Sequence, residues 1–163
     1  MSLRATIRDH LLSVWAGDPW YGSASKKILE DISAAEAAAH PIAGVQTIWE
    51  TTLHMVAWTE EATSRIRGNK AKAPDRGDWP MPADTSTEAW TAATDQLRSA
   101  RYALLEAIEK AQEEQLYMLV GSHGETGASD KVTRAQTASG LAEHDVYHLG
   151  QIALLKKALR AKA

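Results

Sequence analysis

The sequence predicts an all-α fold, a four-helix bundle, from three observations. Apolar residues recur at three- and four-residue spacing over several long stretches, sustained β-branched alternation is missing, and no internal repeat is visible. A chain of 163 residues suits one compact domain, residues 1–163, large enough to bury a real core and too short for two ordinary domains.

The first helix rests on Leu3, Ile7, Leu11 and Val14/Trp15, and Gly17-Asp18-Pro19-Trp20-Tyr21-Gly22 ends it near Ala16. Ser23 or Ser25 can cap a second stretch, which carries Ile28, Leu29, Ile32 and an alanine-rich run through Ala39 before His40-Pro41 closes it. A long helix follows from about Val45 to Arg67. There Val45, Ile48/Trp49, Thr52, Val56, Thr59, Ala62 and Ile66 share one stripe, and Gly68-Asn69 stops it.

Pro74, Gly77, Pro80 and Pro82 make the stretch from Lys70 to Asp84 a loop between the second and third long helices. It is long for a bundle connection, and long loops are often functional. Thr85 or Ser86 followed by Glu88 opens the third long helix, which Trp90, Leu97, Tyr102/Leu104/Leu105 and Ile108 carry to about Gln112. Leu116 to Val120 is short and apolar, readable as strand or helix, and Gly121 to Gly127 is turn-rich. The last helix runs from about Lys131 to Arg160, with Leu141, His144, His148, Ile152, Leu155 and Leu159 advancing by three or four residues.

Composition narrows the function classes. With no cysteine, disulfides, thiolate metal sites and cysteine nucleophiles are excluded, so any metal chemistry must use imidazole, carboxylate or water. Lys plus Arg is 18 against 21 for Asp plus Glu, a net charge of −3. The basic residues are scattered except for Lys156, Lys157, Arg160 and Lys162, which suit a helix C-terminus better than a nucleic-acid footprint, so no nucleic-acid partner is expected. The N-terminal stretch lacks an apolar run with a cleavage site, and no segment approaches the roughly 20 apolar residues of a membrane span. The expectation is a soluble cytoplasmic protein with no membrane partner. Phe is absent, and the 6 tryptophans, Trp15, Trp20, Trp49, Trp58, Trp79 and Trp90, are expected at core edges or cleft walls, where each ring N–H finds a partner or water.

Chemistry concentrates in His144-Asp145-Val146-Tyr147-His148. Two imidazoles four residues apart, about 6 Å of rise, lie on one helix face and can reach a single ion. A third nitrogen from a neighbouring helix would complete a three-histidine site with open positions for water or substrate. His54, mid-helix within Leu53-His54-Met55-Val56-Ala57-Trp58, is the best candidate, although a helical wheel sets it nearly opposite the centre of the apolar stripe. The plainer alternative is a pair of histidines on a solvated helix, or core imidazoles that are merely hydrogen-bonded.

His10, His40 and His123 have no partner at ligand spacing and read as surface or capping residues. Gln151, Glu143 and Asp145 are candidates to orient an imidazole, the two carboxylates being more ordinarily solvated on the outer helix face. Gly150 suggests close helix packing, or room beside a metal.

Four blocks, in order and at their spacing, resemble the DinB/YfiT-like superfamily of metal-binding four-helix bundles across nearly the whole chain. They are Gly17-Asp18-Pro19-Trp20-Tyr21-Gly22, Ile48-Trp49-Glu50…Leu53-His54-Met55-Val56-Ala57-Trp58, Asp78-Trp79-Pro80…Pro82, and His144-Asp145-Val146-Tyr147-His148-Leu149-Gly150-Gln151-Ile152. The resemblance implies that one histidine of the second long helix joins two of the last around a divalent ion, at positions matching His54, His144 and His148. Tyr21 departs from the pattern, since many relatives carry a histidine there, and this removes an extra base near the site.

The resemblance also implies a class of activity: metal-dependent enzymes that act with a small thiol, including S-transferases using low-molecular-weight thiols and a maleylpyruvate isomerase. The expectation is therefore a metalloenzyme holding zinc or nickel, acting as a thiol-dependent S-transferase, isomerase or hydrolase on a small molecule, and forming a homodimer through bundle faces. The competing expectation is a non-catalytic metal-binding or stress-related bundle, favoured by the lack of an obvious general acid or base beside the ligands.

Overall fold

Four long helices, α1 (Leu3–Ala16), α4 (Ile48–Ile66), α5 (Thr87–Lys110) and α7 (Arg134–Arg160), build the bundle in a computed structural model that describes residues 2–121 and 131–161. Short helices α2 (Ser25–Leu29), α3 (Ala34–Ala38) and α6 (Glu113–Leu116) complete the described chain. His123 and most of the turn-rich stretch Gly121–Gly127 lie outside the described residues. No helix among them is long and apolar enough to cross a membrane.

Hydroxyl residues set the helix starts, since each can accept from a backbone N–H that the first turn leaves unpaired. Ser2 and Ser86 cap α1 and α5. Thr47 and Thr133 begin α4 and α7 as reciprocal capping boxes with Glu50 and Gln136. These boxes correct two expected boundaries: α4 starts at Ile48, not Val45, and α7 at Arg134, not Lys131. Val45 continued the apolar spacing by chance and is exposed outside the helix.

The second stretch is likewise not one helix. Ser33 forms a capping box with Glu36 and starts α3 anew, so the alanine-rich run turns away from α2. Leu116 ends α6 as a helical residue, whereas Leu119 pairs with Thr133 in an isolated antiparallel bridge, so the undecided apolar stretch contains both geometries.

The helices stack with α4 between α5 and α7, and with α1 against α7. Leu11, Ile48, Trp49, Met55, Leu97, Leu104, Ile108, Ile152 and Leu155 are fully buried between them. Trp49 and Trp90 meet with ring centroids 5.2 Å apart, and Trp90 Nε1 donates to the Ile32 carbonyl (2.8 Å), tying the α2–α3 crossing to α5. The tryptophans divide between environments: Trp15, Trp49 and Trp90 are buried, whereas Trp20 is 95% exposed.

The cations at the end of α7 do more than favour its dipole. Lys156 donates to the Ile28 carbonyl and to Asp31, and Arg160 donates to Asp31 and Glu36, latching α7 onto α2 and α3.

The long loop from Lys70 to Asp84 is held at several points. Buried Glu61 accepts from Arg65 Nε (3.0 Å) and from the Lys72 backbone N–H (2.8 Å). Arg76 forks onto Glu60 at 2.7 and 2.9 Å and also reaches Gln96. Gly77, at φ +82°, closes a turn by donating to the Pro74 carbonyl, a conformation that side-chain-bearing residues resist. The turn delivers Asp78 and Trp79 onto α4.

Candidate metal centre

His54 lies mid-way along α4, and His144 and His148 lie one turn apart on α7, so the seam between these helices brings the three rings together. Nε2 of His144 is 3.0 Å from Nε2 of His54 and 3.2 Å from Nε2 of His148. Among the described residues this is the one group of three or more His, Cys, Asp or Glu side chains arranged to hold an ion, its ligand atoms all within 4.8 Å of one another.

Two of the rings are fixed from behind. His54 Nδ1 donates to the Asp78 carbonyl oxygen at 2.6 Å, with the Asp78 carboxylate 3.3 Å from the same nitrogen. Trp79 stacks on the His54 ring at 3.8 Å and an interplanar angle of 11°, and Trp58 Nε1 holds the Asp78 carboxylate at 2.7 Å. His148 Nδ1 donates to Gln151 Oε1 at 2.7 Å. A carbonyl oxygen can only accept, so the proton of each ring sits on Nδ1 and its Nε2 presents a lone pair to the centre.

His144 Nδ1, by contrast, is buried without a partner. Its imidazole is pushed down to about 4, first by burial and then by repulsion from His148 and His54. His148 is also lowered, by burial first, with Gln151 opposing. Both are therefore neutral near pH 7, as metal ligation requires.

These contacts decide what the centre fits. If the three rings are neutral, His144 can offer one N–H between two lone pairs, so at least one inward nitrogen meets another with nothing shared between them. A cation satisfies all three at once. Three nitrogens around an ion at ~2.0–2.1 Å stand roughly 3.0–3.4 Å apart, which matches the two separations from His144 Nε2, 3.0 Å to His54 and 3.2 Å to His148.

A family model described as the DinB superfamily matches residues 22–152, most of the 163-residue chain. The chain belongs to the DinB superfamily. No curated protein and no solved structure matches it. DinB membership and the three-histidine group together fit a metal-binding protein. The matched span of this DinB-superfamily chain includes His54, His144, His148 and the Asp78-Trp79 segment, and of the Gly17–Gly22 block it takes in Gly22 alone.

The positions of the other candidates divide. Gln151 orients a ring, as anticipated, and Glu143 is exposed. His10 and His40 are exposed and apart from the group. Asp145 is a correction: it is not solvated but fully buried, accepting from Trp15 Nε1 (2.6 Å) and Arg101 Nη2 (2.9 Å). It points away from the histidines and ties α7 to α1 and α5.

Gly150 is a second correction. A Cβ there would meet nothing within 4 Å, so neither a close helix nor the metal centre explains the glycine.

His54 is 5% exposed despite its place on the wheel, because α4 is covered on more than one side, by α5, by α7 and by the Asp78-Trp79 segment. A single-stripe reading fails for such a helix. The part played by the Asp78 carbonyl was beyond reach of sequence reasoning, since any residue supplies that oxygen. Trp79 did have a signal, a large aromatic inside a proline-rich loop.

Proposed function

We propose that this DinB-superfamily chain is a metal-dependent enzyme. It holds one divalent ion, zinc or nickel, on Nε2 of His54, His144 and His148, and acts on a small molecule with a low-molecular-weight thiol or water. The observation that supports this most directly is the convergence of three inward Nε2 atoms, two of them with their Nδ1 protons fixed by the Asp78 carbonyl and Gln151. Three nitrogen ligands, with no fourth ligand grouped with them among the described residues, leave coordination positions for an exogenous molecule, the pattern of reactive rather than structural sites.

When bound, such an ion makes a thiol or water acidic near neutral pH, the chemistry needed for S-transfer, isomerisation or hydrolysis. The chain's own residues do the rest. The Asp78 carbonyl and Gln151 hold two imidazoles in the tautomer that ligates and raise their basicity. The Asp78 carboxylate, beside His54, would offset positive charge brought by a bound ion. Trp79 covers one face of His54 and keeps water from it.

A second reading is favoured by that cover. His54 and His148 are only 5% and 4% exposed, so the ion could serve to join α4 to α7 without turnover, as in a metal-binding or stress-related bundle protein. The two readings separate by experiment. Elemental analysis of the purified protein beside His148→Ala should give near-stoichiometric metal in the parent and little in the variant. Equal or negligible metal in both would sink the centre altogether. With cobalt in place of the native ion, a small thiol should alter the visible spectrum of an enzyme, and an unchanged spectrum would favour the structural role.

A further inference from the structure

The four sides of the bundle are not packed alike. The α1–α5 side is the loosest of the contacts between neighbouring long helices, and α2 with the start of α3 arches over it without filling it. A cavity of about 760 Å³ results, within the ~300–1,000 Å³ range of small-molecule sites. None of the three histidines lines it, and it lies on the side of the bundle opposite the α4–α7 seam.

The chemistry of the wall is specific. Its apolar body comes from Trp15, Leu29, Ile32, Trp90, Leu97 and Leu105. Both indole N–H groups are engaged within the protein, Trp15 with Asp145 and Trp90 with the Ile32 carbonyl, so the rings offer hydrocarbon surface to the cavity. The threonine hydroxyls of Thr91 and Thr94 donate to carbonyls of their own helix.

The charges cancel in the same way. Arg98 pairs with Asp95 at 2.8 Å, Arg101 pairs with Asp145 at 2.9 Å, and Lys26 and Glu30 stand at the rim with opposite signs. Nε of Arg101 has no acceptor, but the atom itself is buried and presents no free donor to the cavity.

We propose that the α1–α5 cavity is a second binding site, separate from the histidine centre, for an uncharged small molecule with an apolar, preferably planar, body. Charged guests are disfavoured because the charges of the wall balance, Arg98 with Asp95, Arg101 with Asp145 and Lys26 against Glu30 at the rim, and burying an uncompensated ion is costly. The body lies between the faces of Trp15 and Trp90. A helix or a second copy of the chain would have to insert side chains past the charged rim of Lys26 and Glu30.

The test uses prodan, a neutral naphthalene ketone whose emission moves to the blue in apolar surroundings, with the anionic dye 8-anilinonaphthalene-1-sulfonate beside it. The full-length protein should give a saturable blue shift at one prodan per chain, and the anionic dye should bind more weakly. Thr94→Trp and Leu29→Trp, which fill the cavity from α5 and α2, should each weaken prodan at least about tenfold while leaving metal content unchanged, and His148→Ala should retain prodan binding. Circular dichroism of the filled variants shows that they still fold.

Four results would overturn the proposal: no saturable shift; a shift that survives both filled variants; tighter binding of the anionic dye; or a shift that appears only as the chain self-associates in sedimentation, which would make a second copy the occupant.

Discussion

Asp145 follows a proposed ligand in sequence yet faces the other way, and its burial makes it the most consequential single carboxylate in the bundle. It is 0% exposed, and it is the ion that Arg101 answers. Burial lowers the Arg101 guanidinium, and the Asp145 charge opposes that shift. Asp145→Asn keeps the shape and removes the charge, leaving a buried cation unpaired, so urea denaturation should show a loss of about 3–5 kcal/mol. Replacing both partners with apolar residues should recover much of that loss. At the histidine centre the expected effects are smaller and concern affinity. Gln151→Ala removes the acceptor on His148 Nδ1 and should weaken zinc about 10–100-fold in chelator competition. Asp78→Ala should cost much less, because the contact on His54 at 2.6 Å is made by a backbone carbonyl that alanine retains. Equal losses in the two variants would show that the carboxylate, not the carbonyl, supports His54.

Helix ends carry the next set of consequences. Thr47 is buried and caps α4 reciprocally with Glu50, so Thr47→Ala should cost about 1 kcal/mol of stability, read by thermal or chemical denaturation. The α7 latch is pH-dependent. Hydrogen bonds from Lys156 and then Arg160 hold the Asp31 carboxyl down to about 2, below its ordinary value of 3.8. Because the folded value is the lower one, the latch contributes fully above the ordinary carboxylate range and loses its contribution as the pH falls from about 4 towards 2. Asp31→Asn should flatten the acid limb of the stability profile in that window. The four long helices and the proline-rich loop were legible in the sequence because their periodicity and breakers are local. The starts of α3, α4 and α7 were misjudged because the capping boxes at Ser33, Thr47 and Thr133 compete with apolar spacing that continues past them. Of the site, the spacing of His144 and His148 was visible, and His54 came from the resemblance to a family rather than from its wheel position. The Arg101–Asp145 pair spans 44 residues between two helices, and no local pattern announces such a contact.

For the molecule as a whole, an ion on His54, His144 and His148 would join helices that are 90 residues apart in the chain, so its binding adds directly to global stability. At 100-fold excess over its dissociation constant the gain is about 2.7 kcal/mol, and a chelator should lower the melting temperature of the parent but not of His148→Ala. The geometry of α7 adds one more consequence. Its 27 residues form a rod of about 40 Å, bonded near its start by the Arg134 N–H to the Met118 carbonyl and near its end by Lys156 and Arg160. Rolling the rod to re-aim its imidazoles would break both ends together, and the spacing of His144 and His148 is set by one turn of a single helix. The one soft dimension left to the centre is the gap between α4 and α7. Discrimination among ions by radius would then be tuned in the packing of that seam, by side chains that never touch the ion.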